Sequence, residues 1–190
     1  MSNKPVSEII QNRRATPPRL FAKREVSKEI IEKLLESANW APNHKKTEPW
    51  RFKIYTGKAK SELAEKAYLI LKNKLEEGAS IAPEKVEKFK STMERVPVAM
   101  AIVMQRDPSK RLPEWEEIAA VSMAVQNMWL TATDMDLGAF WGTPAFIELF
   151  NEILEIEEDQ KCLGFFYIGH IMVDYPSPGR GEISEKVKWK

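Results

Sequence analysis

The chain has 190 residues, long enough to bury a real core, and reads as one domain over residues 1–190. Lys plus Arg number 29 and Asp plus Glu 28, so the net charge of +1 excludes a broad field for nucleic acid or acidic membranes, and any anion site must be local. A single cysteine, Cys162, excludes an internal disulfide or a multi-cysteine metal cluster and fits a cytoplasmic setting.

Behind Met1-Ser2-Asn3-Lys4-Pro5 there is no long apolar run, so no signal peptide is expected. The spacing of Val6, Ile9 and Ile10 predicts a first helix over 5–14, stopped by Ala15-Thr16-Pro17-Pro18. Ser27 is placed to cap a second helix that carries Ile30, Ile31, Leu34, Leu35 and Ala38 on one face and ends at Trp40-Ala41-Pro42. A polar loop, Asn43 to Pro49, follows. Trp50, Phe52 and Ile54 alternate with Arg51 and Lys53, which predicts a half-buried strand closed by Thr56-Gly57. A charged helix is expected from about Ala59 to Glu77, ending at Gly78, and another from Pro83 to about Arg95.

Val96 to Met104 is continuously apolar and reads as a buried central strand broken by Asp107-Pro108. Glu114 to Met135 reads as one long helix. It is apolar nearly all round from Ile118 to Leu130, so it belongs in the centre of the molecule or at a subunit interface. Ala139-Phe140-Trp141 forms a short strand. Thr143-Pro144 then supplies a cap and a first-turn proline for a helix to about Ile156. Cys162 to Ile168 is the last buried strand. The tail ends on Val187-Lys188-Trp189-Lys190 with nothing after it to pack under, a candidate for reaching a partner chain. Helices and strands mix without a βαβ rhythm, which predicts an α+β fold: a central mixed or antiparallel sheet and a long buried helix.

The usual catalytic motifs are absent. There is no Gly-x-Gly-x-x-Gly, phosphate loop, His-Glu-x-x-His, Cys-x-x-Cys or Gly-x-Ser-x-Gly, and only two histidines, His44 and His170. Glu116-Glu117 and Glu157-Glu158 read as solvated carboxylates. Cys162, inside an apolar strand, reads as an inert buried thiol, and His170 as a local hydrogen-bonding residue. An enzyme so poor in its own chemistry needs a cofactor to carry the reaction.

Four groups remain. Arg13-Arg14, at a helix-to-loop break, either fork onto a phosphate or cap the helix carbonyls. Trp40 to Trp50 places an aromatic, His44, Lys45 and Lys46 in one loop, either for binding or as a solvated connection. Gly138 to Pro144 runs a strand toward a helix start, offering free N–H groups to an anion or capping only its own helix. Pro178-Gly179-Arg180-Gly181 puts a cation in the tail. Six tryptophans add flat apolar faces suited equally to a core, an interface or a planar ligand.

Taken in order, these pieces resemble the nitroreductase family over nearly the whole chain. The resemblance runs through Asn12-Arg13-Arg14, Ala41-Pro42-Asn43-His44-Lys45, Glu48-Pro49-Trp50 and Leu112-Pro113-Glu114-Trp115-Glu116. It continues through Gly138-Ala139-Phe140-Trp141 and Gly164-Phe165-Phe166-Tyr167-Ile168-Gly169. The length resembles the compact bacterial branch.

The resemblance implies an obligate homodimer with FMN at the subunit interface and NAD(P)H as co-substrate. The expected acceptors are nitroaromatics, quinones or similar flat molecules. A specialised flavin reaction, such as dehalogenation or desaturation, and a non-catalytic flavin-binding dimer are the alternatives. By position, the resemblance implies that Arg13, Arg14 and Ala15 line the phosphate and ribityl chain. Trp40 and His44 would come from the second subunit, and Lys46 would approach the ring edge. Trp141, Gly142 and Thr143 would lie along the ring or phosphate, and Arg180 would reach the phosphate. No side chain is expected to act as general acid or base, and no metal is expected. Where many members have Arg-Arg-Ser, Gln-Pro-Trp and Trp-Arg-Ser, this chain has Arg14-Ala15, Glu48-Pro49-Trp50 and Trp141-Gly142-Thr143, and Trp40 stands where the compact branch commonly has arginine. These departures leave Arg13, Arg14 and Arg180 more of the phosphate to hold.

Overall fold

The computed structural model describes residues 4–175 and 179–190. Pro178, in the predicted tail turn, lies outside them. The helices form largely where the apolar spacing puts them: α1 (Val6–Asn12), α2 (Lys28–Asn39), α3 (Gly57–Glu76), α4 (Pro83–Arg95), α5 (Glu114–Asp134) and α6 (Phe150–Ile153). Ser27 caps α2 as predicted, its Oγ accepting the Ile30 N–H at 3.4 Å. First-turn Pro83 opens α4. The strands are β1 (Trp50–Thr56), β2 (Val98–Gln105), β3 (Leu137–Gly142) and β4 (Gln160–His170).

The strands make one sheet in the order β1-β2-β4-β3, and every ladder in it is antiparallel. The sheet is therefore antiparallel rather than mixed. The one parallel contact among the described residues is the isolated bridge of Ala15 to Ala139, which lays the segment after α1 along the β3 edge. Side-chain alternation splits β2 between two cores. Met100, Ile102 and Met104 face α2 and α5, while Ala99 and Ala101 face α3, α4 and α6. Burial on both faces is why β2 reads as an unbroken apolar run.

The expected helix from Thr143 to Ile156 is not continuous. Thr143 caps nothing. A turn at Pro144 leads to a 3-10 turn, Ile147–Leu149, and only then to the four-residue α6. Aromatic packing decides this. Phe146 and Phe150 stack at 5.9 Å and close on Phe89 and Phe165, which draws the segment inward in place of a straight helix. The helix N-terminus expected to offer N–H groups at Thr143 is therefore absent.

Cys162 is buried, and burial pushes its thiol up to about 11, so it is unreactive at neutral pH, as its apolar strand predicts. No helix of the described residues is long and apolar enough to cross a membrane, and none of their side chains group into a metal site.

Candidate functional site

The sequence candidates fall at two separate places. The first lies along the outer edge of β3. Arg13 leaves α1 with its guanidinium over the Trp129 ring, 4.7 Å from the centroid, while Trp129 donates its indole N–H to the Arg14 carbonyl at 2.9 Å. Burial, then repulsion from Arg180 and from Arg14, lowers the Arg13 pKa. Three cations thus lie near one another, and none of them pairs with a carboxylate among the described residues; Arg14 donates to the Gln11 and Arg13 carbonyls at the end of α1, as the capping alternative expects, and Arg180 donates to the Gly179 carbonyl at 2.7 Å. Ala15 is exposed beside them on β3.

One residue further along β3, at Phe140, begins a cavity of about 520 Å³. Trp141, Gly142 and Thr143 line one wall, with Phe140, Phe146 and Tyr167 making the rest largely aromatic. The Trp141 indole is held by the Leu163 carbonyl at 3.0 Å. Beneath it, Gly164 sits at φ +132 opposite the bulge between Ile102 and Val103. A Cβ there would come within 2.5 Å of the Trp141 Nε1 and 2.7 Å of the Gly142 carbonyl, so this wall requires glycine. Arg19, Lys85 and Lys88 also line the cavity, and their side chains have no acidic partner among the described residues. Sequence reading missed all three. Arg19 hides behind the diproline, and the α4 lysines look like an ordinary charged helix face. The available signal was the pair Lys85 and Lys88, one turn apart on the α4 face next to buried Phe89 and Val86.

The second place is the loop between α2 and β1. Trp40 is 79% exposed and donates its indole N–H to Glu36 at 2.8 Å. His44 Nδ1 lies 2.8 Å from Glu116 on the first turn of α5. Lys46 is exposed. Lys45, Lys46 and Glu48 all adopt positive φ (53°, 53° and 42°), a conformation that costs an L-residue about 1–2 kcal/mol.

What holds this loop is a polar cluster at the start of α5. Lys45 donates to the Arg111 carbonyl at 3.3 Å, Asn43 Oδ1 accepts the Glu48 N–H at 3.2 Å, and Gln105 N–H reaches the Pro49 carbonyl at 2.8 Å. Arg111 forks onto Asp107 at 2.8 and 2.9 Å. Glu117 is not solvated, contrary to the sequence expectation. It is 1% exposed, ion-paired with Arg106, and accepts the Asp107 N–H at 2.7 Å. Glu116, its neighbour, is tied to His44. The period of α5 turns Glu117 toward the loop after β2, which charge alone does not reveal.

The Arg111 fork holds the Asp107 carboxyl at about 2, below its ordinary 3.8. A lowered carboxylate pKa stabilises the fold above the unfolded value, and that stabilisation is lost as pH falls through the folded one. Wild-type protein should lose melting temperature between roughly pH 4 and pH 2, and Asp107→Asn should lack that share of the loss; parallel pH profiles of melting temperature check it.

Within one chain the two places do not meet. His44 contacts Glu116 and Arg13 lies on Trp129, which puts them about 20 Å apart along α5. The loop feeds β1 at one edge of the sheet, whereas the cavity opens at β3 on the other. Between them the outer surface of α5 carries no charged residue from Ile118 to Thr133, and Met123 is exposed there.

The Nitroreductase family profile matches residues 10–170. A candidate NAD(P)H nitroreductase of Bacillus subtilis, YfhC, is 37% identical over 169 residues, covering 86% of this chain and 82% of that protein. A candidate NAD(P)H nitroreductase of Escherichia coli, YdjA, is 26% identical over 85% of this chain and 86% of its own length. Among solved structures, a nitroreductase-like family protein of Bacillus cereus superposes with a TM-score of 0.81 at 26% identity, covering 100% of this chain and 98% of that one. A candidate nitroreductase of Desulfovibrio desulfuricans, solved in complex with FMN, superposes with a TM-score of 0.75 at 21% identity, covering 100% and 98%. The chain belongs to the nitroreductase family, with its α+β fold and its oxidoreductase class.

Proposed function

We propose that the protein is an FMN-dependent oxidoreductase that takes reducing equivalents from NAD(P)H and delivers them to nitroaromatics, quinones or similar flat acceptors. It works as a homodimer whose clefts are shared by two chains. The observation that carries this reading is the layout along β3. Arginines without a carboxylate partner among the described residues gather beside Ala139, and an aromatic, cation-lined cavity opens from the next residue of the same strand, an arrangement that suits the phosphate and the ring of one FMN. The cofactor named in the Desulfovibrio complex agrees with that layout.

Arg13, Arg14 and Arg180 would hold the phosphate, where a dianion relieves their mutual repulsion. Ala15 offers no hydroxyl, so the grip is ionic. Trp141, Gly142 and Thr143 would border the ring, and Arg19, Lys85 and Lys88 place positive charge where negative charge collects on a reduced ring. Lys46, expected near the ring edge, sits with Trp40 and His44 on the other edge of the sheet, so in this reading all three serve the second chain's cleft. When bound, FMN supplies the hydride chemistry that no side chain here can perform. The protein's residues bind, orient and shield.

The twofold that joins two chains through the uncharged face of α5 brings the Arg13 end of one beside the His44 end of the other. The exposed Ile183, Val187 and Trp189 give the tail apolar surface with which to reach the partner. The single buried thiol fits the cytoplasm. The test is spectroscopic. FMN added to the purified protein should be bound and raise its melting temperature, and NAD(P)H without oxygen should bleach it until a quinone restores the colour. Protein that neither binds FMN nor lets NAD(P)H bleach it contradicts the proposal.

A further inference from the structure

We propose that Glu116 is a positioning residue for His44, fixing which ring nitrogen the imidazole presents to the bound group. His44 Nδ1 lies 2.8 Å from a Glu116 carboxylate oxygen. An ionised carboxylate only accepts hydrogen bonds, so Nδ1 carries the proton. In the neutral ring that leaves a lone pair on Nε2, the reverse of the tautomer a free imidazole prefers. The His44 side chain is 60% exposed while Glu116 is only 25% exposed, so the carboxylate is the fixed member and the ring is the presenting one.

The support is built from several sides. Glu116 stands on the first turn of α5, whose neighbour Glu117 is locked into the fold by Arg106 and the Asp107 N–H. The backbone on the His44 side is held in three left-handed residues by Asn43, by Thr47 bonding back to the His44 carbonyl, and by Lys45 on the Arg111 carbonyl. A solvated loop has no need of such strain.

The chemical consequence is specific. The Nε2 lone pair accepts from an N–H or O–H of the ligand and repels a carbonyl oxygen. The inference rests on the reading that His44 faces FMN in the second chain's cleft, where a ribityl hydroxyl or the ring N3–H supplies the donor.

Nitrogen-15 spectra read the tautomer without turnover, and with only His44 and His170 in the chain the assignment is short. In wild type His44 should carry its neutral-form proton on Nδ1. In Glu116→Ala it should shift to Nε2, with FMN bound about tenfold more weakly, the worth of one hydrogen bond. Glu116→Gln keeps an acceptor oxygen and should keep both tautomer and affinity. A wild-type His44 protonated on Nε2, or a tautomer that flips in Glu116→Ala with FMN affinity unmoved, overturns the inference. If wild type binds no FMN, or His44→Ala binds it as tightly as wild type does, the underlying reading of the site fails instead.

Discussion

Glu117→Ala should unfold the protein more easily than any other single carboxylate replacement, by about 3–5 kcal/mol, because it strands a desolvated cation. The Glu117 side chain is wholly buried, and the Arg106 guanidinium paired with it is 17% exposed. Glu117 also accepts the Asp107 N–H at 2.7 Å, so its removal leaves a buried amide without a partner as well. For a chain of this length the melting temperature should fall by roughly 6–20 °C, read by thermal and urea denaturation together. Replacing both members, Arg106→Met with Glu117→Leu, should cost far less than Glu117→Ala, because no charge is then left buried. The loop that carries Lys45 and His44 hangs from this cluster, so the single variant should also loosen it.

Arg13→Ala should act on binding and not on folding. Arg13 is crowded by Arg14 and Arg180 with no carboxylate among the described residues to offset them, and its pKa is lowered by burial and by that repulsion. Removing it relieves the free protein, so its melting temperature without cofactor should hold or rise. A charge-assisted hydrogen bond to phosphate is worth about 1.5–3 kcal/mol, so FMN affinity should fall roughly 10- to 100-fold, measured by fluorescence quenching. Loss of the Trp129 contact tempers the gain in stability, and Arg13→Met keeps most of that packing. An Arg13 that only capped α1 would show the opposite pattern, with stability lost and affinity kept.

Much of the fold is legible in the sequence because single-element periodicity decides it. β2 announces itself as an unbroken apolar run, α5 as a long helix with few charges, and α2 by its cap at Ser27. The failure at Thr143 has a tertiary cause: Phe89 and Phe165, distant in sequence, draw in Phe146 and Phe150 and outweigh a good capping signal. The same holds for Glu117, whose burial depends on a loop eleven residues away in the chain.

At the site, sequence adjacency serves the short segments and misleads across the sheet. Arg13, Arg14 and Trp141 to Thr143 do gather along β3, with Arg180 brought back by the tail. Arg19, Lys85 and Lys88 join them only because the diproline segment and α4 meet over β3, which no local pattern encodes. Trp40, His44 and Lys46 are held elsewhere, and that separation is the physical argument for a second chain.

The most direct test of the shared cleft is the FMN content of a mixed dimer. One chain carries Arg13→Ala and Arg14→Ala, the other Trp40→Ala and His44→Ala, with different tags so that only the mixed species is isolated. Each variant alone should bind FMN weakly. The mixed dimer contains one cleft with an unaltered arginine end and an unaltered Trp40–His44 end, so it should hold one FMN tightly per two chains. A mixed dimer as weak as its parents would show that each site is made within one chain and would contradict the account.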